Sequence, residues 1–141
     1  MGFELKVEGG PGSIDLGFET ITSVKYISDS PDDSNARSND VSLSVEIKGK
    51  IITALDGDEY KTVELAKWSV IPVEDPNCYG QVTVTYVSAG MVVREIKLPN
   101  AFIVSYKETF NNQEGVGEFT AVIRQKKDKN AQFECAGSFS A

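Results

Sequence analysis

The sequence predicts a mainly β protein, a closed or nearly closed antiparallel barrel or sandwich of about eight strands with one short helix. Three observations carry this. Apolar residues alternate with polar ones, at a period of two, in segment after segment. The segments are separated by turn-rich sequence such as Gly9–Gly10–Pro11–Gly12 and Ala89–Gly90. Only one stretch, Asp58 to Val70, has the longer period of a helix. The 141 residues show no internal repeat, linker or low-complexity tract, so residues 1–141 read as a single domain.

The elements follow in order. Phe3, Leu5 and Val7 alternate with Glu4, Lys6 and Glu8 as a first strand, which the glycines and Pro11 end. Ile14, Leu16 and Phe18 restart the pattern, and Ile21, Val24, Tyr26 and Ile27 continue it with a slip. A bend or bulge between Gly17 and Thr22 accounts for the slip. Asp29 to Asp40 (DSPDDSNARSND) holds one apolar side chain, Ala36, and reads as a solvated loop, long for a hairpin connection and of a size that is often functional. Val41, Leu43, Val45 and Ile47 then alternate with Ser42, Ser44, Glu46 and Lys48, running on through Ile51 and Ile52 after a kink at Gly49.

In the helix, Asp58 is placed to cap the N-terminus. Val63, Ala66 and Val70 fall on one face with Leu65 and Trp68 beside them, and Pro72 and Pro76 stop it. Trp68 reads as a core plug. Val82, Val84 and Tyr86 form the next strand, Ala89–Gly90 a tight turn, and Met91 to Leu98 the return. Ala101, Phe102, Ile103 and Val104 are apolar on both faces, which requires cover on both sides and points to something beyond the domain's own core on one of them. Asn111 to Gly117 supplies a flexible hairpin tip, and Phe119, Ala121 and Ile123 complete the hairpin. Ala131, Phe133 and Cys135 make a last short strand.

Composition excludes several functions. There is no histidine, which removes Ser-His-Asp and Cys-His catalysis, the HExxH metal site and the commonest base near neutral pH. Carboxylates cluster at Asp56, Asp58 and Glu59 and at Asp29, Asp32 and Asp33, but in turn-rich sequence and without the spacing of an EF-hand loop. No enzyme activity, cofactor or metal is therefore expected. Cys78 and Cys135 read as two free thiols. A net charge of −7 opposes nucleic acid and anionic membranes, and the basic run Arg124 to Asn130 reads as a charged strand end. No run approaches the roughly 18 apolar residues of a membrane helix. MGFELKVEGG has no apolar core of a secretory signal, so synthesis and folding in the cytoplasm are expected, with any export by a route that does not read signal peptides.

Two segments carry a family resemblance. EIKLPNAFIVSYKETF, Glu95 to Phe110, resembles a segment in which a Lys-containing strand leads into Asn-Ala-aromatic, an aliphatic pair, Tyr-Lys-Glu and Phe. Tyr26 through DSPDDSNARSND to VSLSVEIKG is similar to a long polar loop followed by an alternating strand. In both segments the chain resembles the Hcp-like family, the tube proteins of type VI secretion systems and the related tail tubes of contractile phages and injection particles. The order of loop, strand, helix near Trp68 and further strands agrees over most of the chain.

The resemblance implies a split β-barrel with one helix at its side, in subunits that form six-membered rings stacked into a hollow tube. It implies that the loop Ser30, Pro31, Asp32, Asp33, Ser34, Asn35, Ala36, Arg37, Ser38 and Asn39 reaches a neighbouring subunit or ring. It also implies that the strand Ala101, Phe102, Ile103 and Val104 packs partly within the barrel and partly near a subunit seam. The implied partner is the chain itself, with sheath, baseplate or effector proteins as further candidates. A second reading stays open: a monomeric or dimeric β-sandwich binding carbohydrate or a protein, which requires a row of exposed aromatics from Tyr60, Tyr79, Tyr86 and Tyr106. Burial of Tyr86 and Tyr106 is expected instead.

Overall fold

Alternation becomes strand in the described segments where the sequence shows it; Val41, Ala131 and Phe133 lie outside the described residues. A computed structural model describes residues 2–18, 20–29, 42–52, 58–72, 74–111, 116–126, 134–137 and 139–140. In chain order the elements are β1 (Gly2–Gly9), β2 (Ile14–Leu16), β3 (Ile21–Asp29), β4 (Ser42–Ile52), helix α1 (Asp58–Ser69), a 3₁₀ turn (Pro76–Cys78), β5 (Gly80–Ser88), β6 (Met91–Thr109), β7 (Val116–Gln125), β8 (Glu134–Ala136) and β9 (Phe139–Ser140). The sheet runs β2-β1-β5-β6-β7-β4-β3, all antiparallel, with β8 and β9 added to β6. β1 and β3 touch across the gap but share no ladder among the described residues, so the barrel is split.

Register places the apolar residues in layers. Leu16, Leu5, Val84 and Ile96 lie opposite one another across four strands, and Ile14, Val7, Val82 and Leu98 form the next layer. On the other side Val45 faces Ile123, which faces Ile103, and Ile47 faces Ala121. All of these except Ile103 are buried. A one-residue slip in any strand would turn its whole apolar set outward, so burial on one face fixes the register.

The turn joining β5 and β6 has Ala89 at φ 53° and Gly90 at φ 76°. Two successive positive φ values are what a two-residue hairpin turn needs to match the strand twist. The expected slip before β4's partner is present as a register shift between Ile21 and Ser23. Gly49 belongs to the same corner. Thr20 O accepts the Lys50 N–H at 2.7 Å, and a Cβ on Gly49 would sit 2.5 Å from both Thr20 O and the Phe119 ring. The kink is thus a close approach of backbone to an aromatic plug.

Two expectations are corrected. Met91 to Leu98 and the strand beginning at Ala101 are one continuous strand, β6. Pro99 cannot donate to a ladder, and Asn100 adopts φ 56°, but the Lys126 N–H bonds Asn100 O at 3.0 Å and carries the chain through the bend. The helix is also rotated from the face expected. Thr62, Leu65 and Trp68 are buried, whereas Val63 is 47% and Val70 78% exposed. The two stripes are one residue apart, and the largest side chain decides: Trp68 enters the core and its Nε1–H donates to the Cys78 carbonyl at 2.6 Å. That bond satisfies the one polar atom of the indole. Helix α1 begins at Asp58, within one residue of the expected cap, and packs on β2, β4 and β6.

Two substitutions test this arrangement by chemical denaturation. Leu43→Ala removes a buried side chain and is expected to cost about 2–5 kcal/mol. Gly49→Ala, which forces Phe119 or the Thr20 carbonyl aside, is expected to cost about 1–3 kcal/mol. Near-neutral results would mean that the β4 register is different.

Candidate subunit interface

The first half of β6 is paired along both edges, by β5 on one side and by β8 and β9 on the other. Its pairing with β5 ends at Ala101, opposite Gly80. From Phe102 to Thr109 the strand pairs with β7 alone. Along this stretch the other edge of β6 has no strand partner among the described residues. Unpaired N–H and C=O groups in such a row are a template for another chain. The outer edge of β3 is the second long edge of this kind.

The four residues singled out in the sequence fall at the start of this open stretch. Ala101 is fully buried, opposite Gln125. Ile103 is half-buried against the core opposite Ile123. Phe102 turns outward opposite Arg124, and Tyr79 covers part of it edge-on, ring centroids 5.8 Å apart. Lys126 Nζ lies 5.3 Å above that Tyr79 ring. A register shift falls between Ile103 and Ser105, and Val104 is left 44% exposed. Cover for the outward residues thus comes in part from the chain's own Tyr79. The loop Ser30 to Asn39 lies outside the described residues, as do Asp32, Asp33 and Asp56 of the two carboxylate clusters.

The aromatics do not form a row. Tyr86 is half-buried and stacks on Phe3 at 4.9 Å, Tyr106 is half-buried and stacks on Phe119 at 6.2 Å, and Tyr79 lies against Phe102. The side chain of Tyr60 lies outside the described residues. Phe3, Tyr86 and Tyr26 line a groove of about 170 Å³ across the split between β1 and β3, with Arg94 at its edge.

Both cysteines are free thiols, Cys78 buried and Cys135 exposed on β8. Burial, and then the Asp75 and Glu74 carboxylates, push the Cys78 thiol up, which leaves little thiolate for a nucleophile at neutral pH. Among the described residues no three Cys, Asp or Glu side chains are grouped to hold a metal ion, and no helix is long and apolar enough to cross a membrane. A concavity of about 610 Å³ is an open hollow on the outer face of β1, β5 and β6.

No family model and no curated protein matches the sequence. Solved structures do match in fold. The Hcp1 protein from Flavobacterium johnsoniae aligns over 100% of both chains, with TM-score 0.58 and 18% identity. The Hcp1 protein from the E. coli EAEC 042 pathovar aligns over 97% of this chain and 99% of its own, with TM-score 0.55 and 10% identity. A protein in the six-fold symmetrised baseplate of the anti-feeding prophage aligns over 96% of this chain and 93% of its own, with TM-score 0.51 and 12% identity.

One titration probes the β6–β7 corner. Burial, and the hydrogen bond from Tyr106 OH to the Glu108 carboxylate at 2.7 Å, push the Tyr106 phenol well above its usual range. The folded chain therefore keeps that proton longer than the unfolded chain. Its contribution to stability is full below pH about 10 and declines as pH rises beyond that. Tyr106→Phe is expected to flatten the alkaline decline of the denaturation midpoint; an unchanged slope would mean that Tyr106 titrates normally.

Proposed function

We propose that the chain, which has an Hcp-like tail tube fold, is a structural subunit of a contractile injection or secretion tube, assembling with copies of itself into stacked rings. The observation that carries this reading is the open edge of β6 from Phe102 to Thr109, in a barrel whose fold matches Hcp1 proteins end to end. A long unpaired edge favours pairing with another chain, and closing a ring removes edges that would otherwise associate without limit. The resemblance of Glu95 to Phe110 to the tube-protein segment supports the same conclusion, since that segment is the middle and second half of β6.

In this reading Ala101, Phe102, Ile103 and Val104 lie at the subunit seam, and the loop Ser30 to Asn39 contacts a neighbouring subunit or ring. Six subunits make a ring. Sheath, baseplate or effector proteins are the further partners, and the subunit leaves the cytoplasm as part of the apparatus. The role is one of contact, without catalysis or cofactor. A carbohydrate-binding module is disfavoured by the separate placement of Tyr79, Tyr86 and Tyr106.

Light scattering after size exclusion, with negative-stain microscopy, tests the reading. Rings are expected; a strict monomer at high concentration would overturn it. Val104→Lys puts a charge at an exposed position on the edge, so it is expected to weaken assembly while changing stability by less than about 0.5 kcal/mol. Deleting residues 32–38 is expected to lower assembly and leave the melting temperature of the monomer within a few degrees. A large stability loss in either variant, or full assembly in both, would contradict the assigned seam.

A further inference from the structure

The two outer faces of the barrel sort charge differently. On β1, β2, β5 and β6, Glu4, Glu8, Asp15 and Glu95 accompany Lys6 and Lys97. Both lysines there are paired, Lys6 Nζ with Glu4 at 3.5 Å and Lys97 Nζ with Glu95 at 3.6 Å. On the opposite face, built by β3, β4, β7 and the second half of β6, register sets out rows of a different kind. One row runs Lys25, Glu46, Val122 and Ser105, the next Ser23, Lys48, Thr120 and Lys107. Lys50 and Glu118 follow on one side, and Ser44, Arg124 and Phe102 lie on the other.

Among the residues whose side chains are described, five cations stand on this face against two carboxylates, in a chain of net charge −7. None of Lys25, Lys48, Lys50, Lys107 and Arg124 has an ion pair among the described residues, and the Arg124 Nε is buried without a hydrogen-bond partner there. Apolar side chains lie among them: Ile27 and Val104 are exposed and Val122 is half-covered. Lys25 lies opposite Glu46 and Lys50 opposite Glu118, but Lys48, Lys107 and Arg124 have no acid across from them in register, and grouping such cations costs the folded state.

We infer that this face is a docking surface for a protein partner that presents carboxylates around an apolar strip. Charge complementarity selects the partner. A second copy of the chain fits less well, because on its acidic face Glu4 and Glu95 already hold Lys6 and Lys97, leaving only Glu8 and Asp15 among the acids named there. Nucleic acid fits poorly too: the apolar groups between the lysines are aliphatic and supply no stacking platform, and Phe102 is partly covered by Tyr79. The inference does not depend on ring formation, since it rests on a sheet face and the ring reading rests on a strand edge.

The test uses the full chain and a fluorescein-labelled amphipathic helical peptide with Leu at i, i+3, i+4 and i+7 spacing and Glu at the positions between, read by anisotropy. Binding is expected, weakening as salt rises from about 50 to about 300 mM, because exposed charges are screened over that range. Lys48→Glu with Lys107→Glu is expected to weaken it roughly tenfold or more, and Lys6→Glu with Lys97→Glu to change it less than about twofold. Should the reversed pair fail to fold, Lys48→Gln with Lys107→Gln reads in the same direction. Absence of binding at low salt, equal loss in both pairs, or tighter binding of an oligothymidylate would overturn the inference. So would loss of self-assembly in the Lys48/Lys107 variant, which would make the face a contact between copies.

Discussion

A strand has two hydrogen-bonding edges, and the architecture depends on how β6 distributes its own. Its first half spends both, on β5 and on the short strands β8 and β9. Its second half joins β7 on one edge only. One strand therefore belongs to both walls of the barrel, and the backbone must bend where it passes from one to the other. Pro99 and the positive φ of Asn100 make that bend, and the hydrogen bond from Lys126 holds it. The layers of the core, the position of helix α1 against β6 and the open edge beyond Ala101 all follow from it.

Strands were legible in the sequence where one face is buried, because a period of two then leaves only one register that hides the apolar set. Leu43, Val45 and Ile47 are such a case, and so are Leu5 and Val7. The helix face was not legible. Thr62, Leu65 and Trp68 form one stripe and Val63, Ala66 and Val70 another, and apolar content favours the wrong one. Only the depth available to an indole, and the Cys78 carbonyl waiting for its N–H, separates them. The continuity of β6 was hidden because Pro99–Asn100 reads locally as a break.

The seam residues were legible as a puzzle: four apolar residues in a row on a strand require two kinds of cover. The structure divides them, with Ala101 and Ile103 toward the core and Phe102 and Val104 outward. The cationic face was not legible at all. Lys25, Lys48, Lys50, Lys107 and Arg124 are scattered over 100 residues and meet only through register. The features the described residues present are edges and faces: the open edge of β6 beyond Ala101 and the cationic face of β3, β4 and β7.

The pairing order of β1 sets a timetable for biogenesis. β2, β3, β4 and helix α1 lie between β1 and β5 in the sequence, yet β5 is the full-length neighbour of β1, and only the three residues of β2 are near at hand. As the polypeptide emerges from the ribosome, Leu5 and Val7 must wait for Val82 and Val84 before their side chains are covered. Pairings of such high sequence separation carry a large loop-closure cost and come late. Until β5 is made, β1 is thus a ribbon whose apolar residues lack their main cover, and closing that ladder is a late step in the folding of the domain.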